Sequence, residues 1–117
     1  MTGEEARQYA RVVTWQSPGF EIVGGQTCTS ATTLSSDSGR LIQLDASGAP
    51  FTLTLPALPY VGMTYILSEI AGSVNLVTVD GNGKNINGNP TMLMNEAYRQ
   101  RWVRYNGVQW IVVGGLL

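Results

Sequence analysis

The stretch that decides the fold runs from Phe51 to Val113 and reads FTLTLPALPYVGMTYILSEIAGSVNLVTVDGNGKNINGNPTMLMNEAYRQRWVRYNGVQWIVV. Apolar residues alternate with polar ones in short runs, and Pro, Gly and Asn separate these runs. This pattern is typical of short antiparallel strands joined by turns. The sequence therefore predicts an all-β fold, a small antiparallel sandwich or barrel, preceded by an N-terminal arm.

Individual segments within this stretch carry the clearest signals. In Phe51–Leu55, Phe and Leu alternate with Thr, which gives a strand one apolar and one polar face. Asp80–Lys84 is rich in Gly and Asn and predicts a turn. Asn106-Gly107 stands between two β-prone runs, which is a strong signal for a hairpin.

Composition indicates a single domain whose surface carries few charges. Hydrophobic residues make up 44% of the 117 residues, while charged residues make up only 13%, against about 25% in ordinary soluble domains. A β-domain with so few charges is at risk of association through its strand edges. We therefore expect copies of the chain or a partner to cover much of the surface; the alternative is a polar surface without charge.

The net charge of −1 gives no general attraction to nucleic acid or to an anionic membrane. Arg99, Arg101 and Arg104 surround Trp102, which permits base stacking between cations. A solvated strand face, or ion pairs at a subunit contact, is the preferred interpretation. No apolar run approaches the roughly 18 residues that span a bilayer, and the N-terminus has no secretory pattern. We expect no direct nucleic-acid or membrane partner.

The first 25 residues differ from the remainder. A capping box and helical spacing permit a short helix over residues 3–11, and a Ser-Pro-Gly sequence breaks the segment further on. We interpret residues 1–25 as an N-terminal arm and residues 26–117 as the β-domain. The candidate partner-binding residues of the arm are Trp15, Phe20 and Ile22. These side chains either fold back on the core of their own chain or insert into a neighbouring subunit.

The chain is poor in reactive groups. It contains no histidine, which removes the usual general base and the commonest metal ligand. Cys28 is the only cysteine and is expected to be a small buried strand residue. The segment starting at Asp80 resembles a calcium loop superficially, but Lys84 and Thr91 occupy positions that need ligands. We predict no enzyme activity, no cofactor and no metal; a small hydrolase built from distant acids is disfavoured.

Aromatic residues offer one further choice. Tryptophans and tyrosines suit a sugar-binding platform, but sheets and subunit interfaces bury the same residues. We favour core or interface positions over a glycan platform. The candidate trimer contacts are Phe51, Leu53, Leu55, Trp102 and Trp110.

Three pieces follow one another between Leu41 and Val113. The first is FTLTLPALPYVGMTYILSEI, where an apolar strand ends in Leu-Pro-Ala before a Gly-aromatic strand. The second is NLVTVDGNGKNING, an Asp-Gly-rich hairpin, and the third is RWVRYNGVQWIVV, an Asn-Gly turn before a Trp strand. In this order they resemble the small β-modules of tailed-bacteriophage virion proteins, which occur in tail fibres and capsid-bound accessory proteins.

The resemblance implies a trimeric, β-rich virion protein without enzyme activity. A tail fibre normally needs a long shaft and an attachment region, and 117 residues leave no space for both. We therefore expect a capsid decoration (cement) protein, assembled in the host cytoplasm, that binds the major capsid protein on the outer head surface as a homotrimer and stabilises the capsid. The alternative is a tail-fibre or tail-tip module that binds a host-surface glycan.

Overall fold

The computed structural model describes residues 25–35, 40–71 and 75–115. These residues contain no helix and form nine strands in two sheets, which confirms the all-β prediction for the described part of the chain. The arm, including the helix expected over residues 3–11, lies outside the described residues. The strands are β1 (Gly25–Cys28), β2 (Thr32–Thr33), β3 (Leu41–Leu44), β4 (Phe51–Thr54), β5 (Thr64–Glu69), β6 (Val77–Asp80), β7 (Thr91–Met94), β8 (Gln100–Tyr105) and β9 (Trp110–Gly114).

The first six strands alternate between the two sheets. Sheet A has the order β1-β3-β5-β8-β9, and sheet B has the order β2-β4-β6-β7. The strands β1, β3 and β5 are parallel to one another, as are β2, β4 and β6. The last three strands join antiparallel, β7 to β6, β8 to β5 and β9 to β8. Each early pair of strands thus forms one turn of a coil, on which the next pair stacks.

The prediction of antiparallel pairing is therefore wrong for the pairs that the first six strands form with one another. Leu41 lies opposite Ile66 in sheet A, and Phe51 lies opposite Val77 in sheet B, so neighbouring strands come from successive turns of the coil. Parallel neighbours need a crossover connection, and here the strand in the other sheet forms part of it. Both sheets are mixed, and neither closes into a barrel.

Side chains from both sheets share one hydrophobic core. Alternate residues of the strands point into it, as the Phe51–Leu55 pattern predicts for β4. Trp110 is the largest fully buried side chain, and its ring centroid lies 6.0 Å from that of Tyr65 and 5.5 Å from that of Tyr105. Cys28 is buried in β1, as predicted.

The turns predicted at Asp80–Lys84 and Asn106-Gly107 are confirmed, and a further tight turn lies at Asn87-Gly88. Asn82 and Gly83 have φ of 55° and 92°, and Asn87 and Gly88 have φ of 49° and 85°. Two successive positive φ angles are the mark of tight turns that favour Asn-Gly and similar pairs. A Cβ atom at Gly81 would lie 1.8 Å from the Lys84 carbonyl oxygen, so only glycine fits there.

The coil gives the domain two distinct ends. The β4–β5, β6–β7 and β8–β9 connections meet at one end, where β1, β3, β5 and β9 begin; we call it the entry end. The Gly62 amide donates to the Tyr105 carbonyl at 2.8 Å there, and the Trp110 amide donates to Asn85 at 2.8 Å. The β3–β4, β5–β6 and β7–β8 connections lie at the opposite, exit end, where the Asn75 amide donates to the Ala46 carbonyl.

Candidate binding surface

The entry end displays a group of apolar side chains to solvent. We call this group the tip and define it as Leu58, Tyr60 and Val61 of the β4–β5 connection with Val108 of the β8–β9 turn. Leu58 is 89% exposed, Val108 75%, Val61 70% and Tyr60 49%. Single exposed apolar residues are normal on protein surfaces, but several in two connections that touch at Val61 and Gly107 indicate a binding surface.

The β4–β5 connection holds its part of the tip in a fixed conformation. Pro56 and Pro59 restrict the backbone on both sides of Leu58. The Met63 amide donates to the Tyr60 carbonyl at 3.0 Å, which closes a turn directly before β5. Gly62 in this turn has a φ of 92°, a conformation that other residues rarely adopt.

The β8–β9 turn presents Val108 in an equally defined way. The Asn106 side-chain oxygen accepts hydrogen bonds from the Val108 and Gln109 amides, each at 2.9 Å. The Asn106 amide donates to the Gln109 carbonyl at 3.0 Å, and Gly107 has a φ of 101°. The Val61 side chain lies against Gly107, with 3.4 Å between a Val61 methyl carbon and the position of a Cβ atom there. The two connections therefore form one surface.

Cationic side chains surround this apolar centre. Arg40 donates a hydrogen bond to the Tyr60 hydroxyl, and its guanidinium carbon lies 5.7 Å from the centre of the Tyr60 ring. The Arg104 guanidinium lies over Gly62, 3.4 Å from the position of a Cβ atom. The Lys84 ammonium approaches the Ala57 carbonyl at 3.4 Å. The tip thus combines an apolar centre with a cationic rim.

A buried tyrosine lies beneath the cationic rim, with the Arg40 guanidinium carbon 5.9 Å from the centre of the Tyr65 ring. Tyr65, at 0% exposure, donates its hydroxyl proton to the Ser35 carbonyl at 2.9 Å. Burial raises the pKa of Tyr65 to about 12, although the nearby Arg40 charge opposes this increase. The hydroxyl therefore remains a neutral donor at physiological pH.

The exit end contains a buried acid. Glu69 is 1% exposed; one carboxylate oxygen accepts the Glu96 amide at 3.1 Å, while the other has no hydrogen-bond partner among the residues that the structure describes. Burial raises the pKa of this carboxyl above its ordinary 4.5, although the Glu96 amide and the positive charge of Arg101 oppose the increase. This contact fixes the β7–β8 connection, which also carries a 2.6 Å ion pair between Arg99 and Glu96.

The structure separates the candidate trimer contacts into two groups. Leu53, Leu55 and Trp110 are 0% exposed and Phe51 is 9% exposed, all within the core of one chain. These four side chains cannot contact another subunit in the folded chain, because they already pack inside its own core. Trp102 is half-buried on the face of β8 that points away from the core. Of the five, Trp102 is the one that lies outside the core.

The remaining sequence candidates have clear positions. Trp15, Phe20 and Ile22 lie outside the described residues. The segment resembling a calcium loop is a turn in which the Asp80 carboxylate accepts the Asn82 amide at 2.9 Å. In the described ranges, no group of three or more His, Cys, Asp or Glu side chains could hold a metal ion.

Sequence reasoning missed the tip. The sequence analysis names none of Leu58, Val61 and Val108 as a candidate binding residue, and the structure places all three in connections between strands. The available signal was the presence of large aliphatic residues among Pro, Gly and Asn, where turns usually place polar residues.

Comparison with known proteins identifies no relative: no protein-family model matches the sequence, and no curated protein matches it. The described residues include no helix of the length and hydrophobicity needed to cross a bilayer.

Proposed function

We propose that this chain is a bacteriophage virion structural protein, a capsid decoration protein that binds the outer surface of the head as a homotrimer. The proposal starts from the resemblance of three successive sequence pieces to virion β-modules. It assigns the chain a mechanical role in which it contacts the major capsid protein and stabilises the capsid, without catalysis.

The single observation that carries the proposal is the exposed tip on a rigid β-scaffold. Leu58, Val61 and Val108 have most of their surface in solvent, yet they stand in connections fixed by prolines and hydrogen bonds. Exposed apolar groups of this kind are typical of surfaces that bind another macromolecule. A fixed surface is also suited to a static partner, because little conformational entropy is lost on binding.

In this proposal the two sheets pack face to face as a small sandwich, with the shared core between them. Residues 26–117 form the β-domain, and residues 1–25 act as an arm whose Trp15, Phe20 and Ile22 clasp a neighbour. Trp102, on the outward face of sheet A, is the candidate contact between subunits.

The stabilising mechanism needs only contact area and multivalency. A specific contact buries about 800 Å² per partner, and this area must be lost before linked capsid subunits separate. A trimer makes three such contacts at once, so its overall affinity exceeds that of each single contact.

Heads prepared without this chain provide the test. We expect added protein to bind their outer surface and to raise the temperature at which they release DNA. Deletion of residues 1–20 should abolish head binding while leaving a folded oligomer. The proposal fails if the full-length chain neither binds such heads nor changes their heat stability, and the clasp fails if the truncated chain binds normally.

One observation favours the alternative of a tail module that binds a host-surface glycan. Tyr98 is 63% exposed and has a φ of 57°, an unusual conformation for a bulky residue. Backbone strain of this kind is concentrated at ligand-binding sites, and tyrosine rings combine an apolar body with a polar tip. This alternative predicts binding to host envelopes that is lost in Tyr98→Ala and kept in Leu58→Ser.

A further inference from the structure

The tip has the organisation of a binding site for a protein. Specific interfaces combine an apolar centre with a polar rim, and they are enriched in tyrosine and arginine. Here Leu58, Val61 and Val108 form the centre, and Tyr60 lies between them and Arg40. Arg104, on the other side, lies over Gly62 and is itself exposed.

We propose that the tip is the surface that docks on the virion shell, and that its partner is an apolar depression rimmed by carboxylates. This inference rests on the proposed function and specifies which surface performs it. The apolar side chains enter the depression, while Arg40, Lys84 and Arg104 face the carboxylates. Charge complementarity of this kind fixes orientation and excludes other partners more than it adds affinity.

The point at which the arm joins the domain agrees with this assignment. Gly25 is the first residue of β1, which runs parallel to β3 and β5 and therefore begins at the entry end. Residues 1–24 consequently join the domain at the same end as the tip. The arm and the tip can therefore contact the same virion shell.

The tip also meets the energetic requirement for docking without rearrangement. The Gly62 amide is bonded to Tyr105, and the Val108 amide is bonded to the Asn106 side chain, so both connections are fixed before binding. A backbone that is already fixed loses less conformational entropy in a complex. We expect the three aliphatic residues to behave as anchors, each with a measurable effect on affinity.

A protein partner is favoured over an anionic membrane. The whole chain has a net charge of −1, so no general electrostatic attraction brings it to acidic lipid. The aliphatic part of the tip is also small, with one leucine and two valines. Partitioning into lipid scales with the apolar area buried. A complementary depression in a protein, in contrast, can bury each of these three side chains completely.

The test compares variants of the full-length chain on heads prepared without it. The first variant combines Leu58→Ser, Val61→Ser and Val108→Ser, and the second is Arg104→Glu. The matched control is Leu93→Ser, because Leu93 is also exposed, at 60%, but lies on β7, on the outward face of sheet B. Thermal unfolding of each variant verifies that the fold is retained, as expected for exposed positions.

We expect the triple variant to bind about tenfold more weakly or worse. Arg104→Glu should also weaken binding, and its affinity should depend less on salt than that of the wild type. Leu93→Ser should bind as the wild type does. Vesicles of phosphatidylcholine mixed with phosphatidylglycerol should bind neither the wild type nor the variants.

Each contrary result has a separate meaning. If the wild type and the triple variant occupy heads equally, the tip assignment is overturned while the proposed function stands. If the wild type binds no heads at all, both are overturned. If the vesicles bind the wild type and not the triple variant, the tip is a lipid-binding surface and the protein partner is the wrong class.

Discussion

At the scale of single residues, Glu69 stands out as an acidic side chain that is buried in the fold. Its carboxyl is buried and has one oxygen that is unpartnered within the described part of the chain, and burial raises its pKa above 4.5. The folded chain therefore binds the proton more tightly than the unfolded chain. The free energy of unfolding must therefore decrease as the pH rises from about 4.5, the ordinary pKa of the carboxyl, through its raised pKa in the folded chain.

We predict that Glu69→Gln stabilises the protein near neutral pH by on the order of 1 kcal/mol, because it removes a buried charge and keeps an oxygen for the Glu96 amide. The variant and the wild type should be equally stable in mild acid, where the wild-type carboxyl is protonated. Chemical denaturation as a function of pH measures both effects. A Glu69→Gln variant less stable than wild type at neutral pH would contradict the prediction.

At the scale of strands, the sequence predicted where strands lie better than how they pair. Alternation identified the apolar face of β4, and the Asn-Gly signal identified the β8–β9 hairpin, because both depend on local residues. Parallel pairing between β4 and β6 depends on segments separated by a strand of the other sheet. Local alternation predicts which face of a strand is buried, but it does not predict which strand pairs with it.

The parallel register gives a direct prediction. Thr52 and Thr78 are register partners in β4 and β6, on the outward face of sheet B. Adjacent strands lie about 4.8 Å apart, which is within the range that a disulfide bridges. We expect the double variant Thr52→Cys and Thr78→Cys to form an intramolecular disulfide under mild oxidation, detected by mass spectrometry.

The control for this register is the pair Thr54→Cys and Thr78→Cys. Thr54 lies opposite Asp80, so it is diagonal to Thr78 and beyond the usual bridging distance. Efficient cross-linking of the diagonal pair, with none in the Thr52 pair, would contradict the pairing of β4 with β6.

At the scale of the whole molecule, the candidate surface was the least predictable feature. Trp110 and Leu53 were expected at a subunit contact, but the two-sheet core buries them. The sequence predicts that these hydrophobic side chains are buried, but it does not predict whether they are buried by the same chain or by another subunit. Val61 and Val108 become neighbours because β5 and β8 pair antiparallel, which places the start of β5 beside the end of β8 at the entry end.

The proposed function requires that this charge-poor β-module assembles as a trimer and holds other subunits together. Sedimentation equilibrium of the full-length chain, over a wide range of protein concentration, tests it most directly. We predict a single species with the mass of three 12.6 kDa subunits. A species of 12.6 kDa that persists at the highest concentration would contradict the claim.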